Sequence, residues 1–224
     1  MSKSTTAIIG VGNIGGTVAR HLVGGGEGVV VASRDAADAQ KLADELGPLA
    51  RAASVEDAIG SADAVVLALW LDQLREFLPQ QKSRLEGKVV IDPTNPIGFD
   101  TNGQIIRTLP DDQSSGSIVA SLLPASAHYV KAFGTLSADT LAGAANHEPR
   151  RAVLFYATDD GASAATVERL IRAAGFDPLK IGSASSAGRI EAPGGDLHQF
   201  ALNDGQVVDL DQARAALAGA AQSA

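Results

Sequence analysis

The stretch "IIGVGNIGGTVARHLVGGGEGVVVASRD", Ile8 to Asp35, decides how this chain folds. An apolar run leads into Gly10-Val11-Gly12-Asn13-Ile14-Gly15, and a helical stripe follows with Ile14, Val18 and Leu22 on one face. Three glycines at 24–26 end the helix, and Gly28–Ala32, "GVVVA", is a second strand. G-x-G-x-x-G after a strand and before a helix, inside a βαβ unit, reads as a dinucleotide-binding turn. Gly10 permits the tight turn, Gly12 lets backbone approach a pyrophosphate, and Gly15 lets helix and strand pack closely. The pyrophosphate would meet free N–H groups at the positive end of the helix. The plainer alternative is a glycine turn in any α/β domain.

The stretch ends on Ser33 and Arg34, where NAD enzymes place a carboxylate for the adenine ribose 2′-hydroxyl. A carboxylate would repel a 2′-phosphate, whereas a hydroxyl and a guanidinium fork match phosphate oxygens. The pair favours NADP over NAD. Asp35 complicates this, because it either caps the next helix or faces the phosphate.

Working outward, strands and helices keep alternating. A helix is predicted over Ala36–Leu46, a weak strand over Leu49–Ala53, and a short helix capped by Ser54. A buried strand follows over Ala64–Trp70, then a helix over Asp72–Leu85 and a strand over Lys88–Asp92. Residues 98–114 read as polar and irregular. Ser115–Leu123 reads as a helix, Tyr129–Phe133 and Ala152–Thr158 as strands, Ala162–Ala174 as a helix, and Leu210–Leu217 as a short one. This spacing implies an α/β fold, a doubly wound, mostly parallel Rossmann sheet with right-handed crossovers. We divide the chain into an NADP-binding domain, 1–134, and a smaller C-terminal lobe, 135–224, that closes one side of the active-site cleft.

A net charge of −8 argues against nucleic acid or an anionic membrane as partner. The chain lacks cysteine, which removes disulfides, thiolate metal sites and a cysteine nucleophile. No run approaches the ~20 apolar residues of a membrane span, and the N-terminus has no signal-peptide pattern. A cytoplasmic protein is expected, and a homodimer is compatible with the sequence.

"GVGNIGGTVA", "VVVASR", "DPTNP", "VKAFGTL" and "GFDPL" resemble the family of deazaflavin-dependent NADP oxidoreductases, which move hydride between NADPH and coenzyme F(420). The resemblance runs to about Glu191. Related domains occur in pyrroline-5-carboxylate reductases and in membrane ferric reductases. The resemblance implies NADP(H) on Gly10, Gly12, Asn13, Ile14, Gly15, Ser33 and Arg34, with the nicotinamide near Leu69, Trp70, Asn95 and Ala132. The chain departs from the family at Val11, where a hydroxyl residue is usual, and at Asp35 and Asp38, where basic residues often stand. It departs again at Gly134, where many relatives have asparagine, and throughout "EAPGGDLHQFALNDGQ" (191–206).

Other residues carry two readings each. Trp70 is either a pocket wall or a core aromatic, and Asn95 either donates to a carboxamide or braces its own turn. Lys131 reads as a solvated strand end more than a pocket charge. His21 reads as surface, and only His198 is a candidate proton donor. Asp159 and Asp160 read as a helix start. Ser183 to Ser186 lack a nucleophile elbow. No catalytic residue and no metal ligand set is assigned. Ketone reduction needs a proton donor, whereas transfer between two planar carriers needs stacking and exclusion of water. The expectation is hydride transfer between NADPH and a small-molecule acceptor, a deazaflavin such as coenzyme F(420) or a flavin. The alternatives are a reductase of a small imine or ketone, and an NADP-binding sensor without turnover.

Overall fold

The computed structural model describes residues 5–220. The chain runs β1 (Thr5–Ile9), α1 (Asn13–Gly24), β2 (Gly28–Ala32), α2 (Ala36–Leu46), β3 (Ala50–Ala52), α3 (Val55–Gly60), β4 (Ala64–Leu67), α4 (Leu71–Gln81) and β5 (Val89–Asp92). β6 (Ile97–Phe99) and β7 (Ile105–Arg107) follow, then α5 (Ser115–Leu122) and β8 (His128–Lys131). The remainder is α6 (Ala138–Gly143), β9 (Val153–Ala157), α7 (Gly161–Ala173), β10 (Asp177–Gly182), α8 (Gln199–Leu202) and α9 (Leu210–Ala220).

Eight strands form one sheet in the order β10-β9-β8-β5-β4-β1-β2-β3. From β3 to β8 all neighbours are parallel, and the order is that of a doubly wound dinucleotide-binding fold. β9 reverses against β8 and β10 runs parallel to β9. Both faces are covered, which is why the central strands are almost wholly apolar. Ile8, Val29, Val31 and Val66 pack with α1, α2 and α7 residues such as Val18, Leu42 and Leu170. Their strand neighbours Ala7, Ile9, Val30 and Val65 pack with Ile59 of α3, Leu74 of α4 and Val119 of α5.

Caps set several helix starts. Ser54 Oγ accepts from Asp57 N–H at 3.1 Å, and Asp160 Oδ2 accepts from Ser163 N–H at 2.7 Å. The boundary at 134 and 135 falls between β8 and β9. The residues after it share one buried cluster with Ile8 and Val18 through Leu136, Leu141, Leu154 and Tyr156, and form a second cluster of their own from Val153, Phe155, Ile181 and Leu197.

Two sequence expectations need correction. The strand predicted to reach Trp70 stops at Leu67, and Trp70 is the N-cap of α4, its N–H bonded to Gln73 Oε1 at 3.1 Å. The stretch read as irregular holds the antiparallel β6–β7 hairpin. β10, over Asp177–Gly182, lies in a stretch to which the sequence reading assigned no element, and it forms an edge strand despite Pro178.

Candidate functional site

The carboxyl ends of β1, β2, β4, β5 and β8 make one rim, where open α/β sheets bind ligands. The glycine turn occupies its middle. Gly10 has φ +94°, and its N–H bonds the Ala32 carbonyl at 2.8 Å, tying the turn to β2. A Cβ on Gly10 would strike the Ala68 carbonyl, and one on Gly15 would strike the Gly10 carbonyl. Gly12 is different, because nothing lies within 4 Å of where its Cβ would stand. The fold therefore demands glycine at 10 and 15 but not at 12, where the space lies before the start of α1. Gly12 caps that helix without a side chain, and its first turn holds no acidic residue. The positive end of a 12-residue helix thus opens onto this space.

Ser33 is half-buried and Arg34 is exposed just past β2. Asp35 Oδ1 accepts from the Ala37 N–H at 2.9 Å and caps α2. The carboxylate is thus engaged by the helix, and Arg34 has no ion-pair partner among the described residues.

The other half of the rim is laced together by hydrogen bonds between strand ends. Leu69 Cδ2 stands 3.1 Å from where a Gly10 Cβ would be, so Leu69 flanks the glycine turn. Thr94 Oγ1 donates to the Leu69 carbonyl at 3.2 Å, joining the ends of β5 and β4. Asn95 Nδ2 donates to the Gly134 carbonyl at 2.8 Å, joining β5 to β8, and Asn95 Oδ1 accepts from Ala192 N–H at 3.0 Å. Asn95 braces its turn and keeps one amide hydrogen unassigned. Ala132 is buried, and Phe133 follows it at φ +64°, a conformation uncommon for a bulky residue. Gly134 is forced by the Pro93 carbonyl, which a Cβ would strike. Trp70 is 51% exposed and meets Phe99 of the hairpin edge-on at 6.4 Å. It is therefore not a core aromatic. Ile105, opposite Phe99 in the hairpin register, extends this exposed apolar surface.

Beneath the rim lies a cluster the sequence reading missed. Lys131 is 1% exposed, which corrects its reading as a solvated strand end. Its Nζ lies 3.1 Å from Asp92 Oδ2, 3.3 Å from Glu191 Oε1 and 3.0 Å from Ser115 Oγ, and it bonds the Thr94 carbonyl. Glu191 accepts from the Gly116 N–H at 2.8 Å and the Ser115 N–H at 3.0 Å, at the start of α5. Tyr129 donates to Asp92 Oδ2 at 2.8 Å, and burial, then the Asp92 charge, raises its pKa well above 10.0. Part of this was open to sequence reasoning. Tyr129 and Lys131 share one strand face at period two, and Asp92 ends the neighbouring strand in register with Lys131. Glu191 carried no local signal.

His198 is 2% exposed, and its Nδ1 accepts from the Phe200 N–H at 3.3 Å at the start of α8. Burial pushes its pKa down from 6.5 to about 4, against a raising contact with the Gly134 backbone. It is a neutral structural histidine, which corrects its reading as a proton donor. The unfolded chain binds this proton near pH 6.5 and the folded one only near 4, so stability present above pH 6.5 is lost as pH falls. Urea unfolding at pH 7 and pH 5 should show wild type losing on the order of 1–2 kcal/mol more than His198→Gln. Equal losses would assign the acid sensitivity to other groups. His21, read as surface, is half-buried, with Nε2 2.9 Å from the Leu141 carbonyl. No His, Asp and Glu group suited to a metal occurs among the described residues, and none of their helices is long and apolar enough to cross a membrane.

Comparison with known proteins agrees with this geometry. The family model for NADP oxidoreductase, coenzyme F(420)-dependent, matches residues 5–96. Metalloreductase STEAP3 of Rattus norvegicus is 33% identical over 185 residues, covering 83% of this chain and 35% of that protein. The F(420)-dependent NADP reductase of Methanothermobacter thermautotrophicus is 30% identical over 150 residues, covering 63% of this chain and 65% of that protein. The chain thus spans about a third of the first relative and just under two thirds of the second. A solved hypothetical protein of Sinorhizobium meliloti superposes with TM-score 0.79 at 29% identity, covering 93% of this chain and 96% of that one. A reductive aminase of Aspergillus terreus, solved with NADPH, shares the fold at TM-score 0.60 and 24% identity, covering 92% of this chain and 61% of that one.

Proposed function

Residues 5–96 match the model of the coenzyme F(420)-dependent NADP oxidoreductase family, and we propose that the chain is a member of it, binds NADP(H) and transfers hydride to a planar acceptor. The acceptor is a deazaflavin such as coenzyme F(420), or a flavin. The observation that carries the reading is the space at Gly12, left open by the fold in front of the uncapped start of α1. The N–H groups of Asn13, Ile14 and Gly15 face a pyrophosphate there, and Ser33 with Arg34 takes the 2′-phosphate. Leu69, Asn95 and Ala132 hold the nicotinamide end, and Trp70 with Phe99 walls the acceptor. The segment from Glu191 to Gln199, bonded to Asn95 and Thr135, closes one side.

Bound NADPH would supply the hydride from its nicotinamide C4. The chain's own groups orient the rings and exclude water. Lys131, Asp92 and Glu191 are buried in mutual contact, Tyr129 is held protonated, and His198 is neutral and engaged. None of these five is free to protonate an alkoxide at the rim, which favours a hydride carrier as acceptor over a ketone.

The test mixes the protein and 4-deuterated NADPH with coenzyme F(420), with free flavin, and with a panel of ketones and imines. Deuterium is expected on the deazaflavin or flavin, and Trp70→Ala should raise the acceptor KM about three- to tenfold, the worth of one aromatic contact. Deuterium found only on an imine or ketone would make this a small-molecule reductase. Tight NADPH binding without any turnover would make it a sensor.

A further inference from the structure

The ion pairs of Lys131 with Asp92 and Glu191 are the only ones among the described residues with both side chains at or below 1% exposure. Such pairs are poor stabilisers. Apolar replacements of a whole buried pair are often neutral or better, so their place at the rim calls for another account. What the cluster holds is Thr94. The Thr94 carbonyl receives Lys131 Nζ and lies 2.9 Å from Ser115 Oγ, which is also 2.9 Å from Glu191 Oε1. The Thr94 N–H donates to Asp92 Oδ1 at 2.8 Å, and its hydroxyl holds the Leu69 carbonyl. The next residue along each segment repeats the grip, since Asn95 Oδ1 accepts from the Ala192 N–H. Two consecutive residues therefore hold two consecutive residues of the rim, Glu191 acting on Thr94 through Lys131 and Ser115, and Ala192 bonding Asn95 directly. Gly116 is part of the device, because a Cβ there would stand 2.6 Å from Ala187 Cβ and 2.7 Å from the Tyr129 hydroxyl, closing the space that Glu191 enters.

We propose that Glu191 and Ser115 are positioning residues for hydride transfer: with Lys131 they lock Thr94, and through it set Leu69 and Asn95 where the nicotinamide and its carboxamide lie. This rests on the proposed function for the identity of the ligand. It assigns a role to the segment after residue 190, where the sequence resemblance to the family ends. The two ends of the cofactor then depend on different parts of the chain. The glycine turn and Arg34 hold the adenosine end without the clamp, whereas the nicotinamide end needs it.

Two variants test this, Glu191→Gln and Ser115→Ala. The first keeps the shape but turns an amide nitrogen toward a backbone N–H at the start of α5. The second removes one hydroxyl and leaves every charge in place. Three quantities are measured on each: the affinity for 2′,5′-ADP, the affinity for NADPH, and kcat for deuteride transfer to the acceptor. Glu191→Gln is expected to keep 2′,5′-ADP affinity within about twofold, weaken NADPH about tenfold and lower kcat by about ten- to a hundredfold, the range for a reacting group misplaced by ~1 Å. Ser115→Ala should move the same way by about three- to tenfold. A folded Glu191→Gln or Ser115→Ala protein with wild-type NADPH affinity and kcat overturns the positioning role, and if Glu191→Gln does not fold, Ser115→Ala decides. Parallel losses of 2′,5′-ADP and NADPH affinity would mean a merely structural cluster and overturn it equally. Wild-type protein that binds neither ligand overturns the proposed function, and the positioning role with it.

Discussion

Gly12→Val should abolish NADP(H) binding and leave the protein folded. Residue 12 sits at φ −70° and ψ −162°, extended backbone that valine adopts readily, and nothing lies within 4 Å of the new Cβ. The side chain would fill the space before α1 and shut a pyrophosphate away from the helix N–H groups. We expect affinity to fall by a factor of more than about a hundred, over ~2.7 kcal/mol, with the melting temperature within a few degrees of wild type. Gly15→Ala is the contrasting control, because its Cβ strikes the Gly10 carbonyl and should lower stability. Arg34→Ala should cost about 1.5–3 kcal/mol, roughly ten- to a hundredfold, for NADPH and little for NADH. Calorimetric titration of both cofactors reads the affinities, and thermal unfolding reads the stabilities. A folded Gly12→Val protein with normal affinity would move the cofactor to another part of the chain.

Lys131→Met carries the largest expected loss of stability. It strands Asp92 and Glu191, both fully buried, without the cation that lies 3.1 and 3.3 Å from them. Removing one partner of a buried ion pair costs about 3–5 kcal/mol, a large share of a domain's stability. The double variant Lys131→Met with Glu191→Met removes one stranded charge and should return part of the loss. Urea unfolding measures both. A single variant as stable as wild type would mean that water or backbone already compensates the carboxylates.

The legible parts of this chain share a physical character. Gly10, Gly12 and Gly15 were readable because a tight turn, a close approach and a close packing each require glycine within six residues. The strands "GVVVA" and "AVVL" were readable because a sheet covered on both faces makes them continuously apolar. The unread parts depend on contacts that periodicity does not carry. The two strands of the β6–β7 hairpin have three residues each, and it exposes Phe99 and Ile105, so nothing in its pattern marks a buried face. α6 is only six residues long. Glu191 reaches Ser115 across 76 residues, and no local pattern announces that a glutamate in a glycine-rich stretch will be buried. Trp70 was read as the last residue of a strand that stops at Leu67, and its exposure follows from α4 starting at Leu71, a boundary the apolar run conceals.

The sheet ends in β3 on one side and β10 on the other, and these edges bear on how the protein meets copies of itself. An unpaired strand offers a row of N–H and carbonyl groups to any passing chain, and natural proteins blunt such templates with brevity, charge or proline. Here β3 has three residues and carries exposed Arg51 at its centre. β10 carries Pro178, which has no N–H to offer, and exposed Lys180. Its register against β9 also shifts between Lys180 and Gly182, breaking the regular ladder near its end. Neither margin is a good template for a continuous intermolecular sheet, so self-association of the native protein is directed away from strand addition and the aggregation it invites.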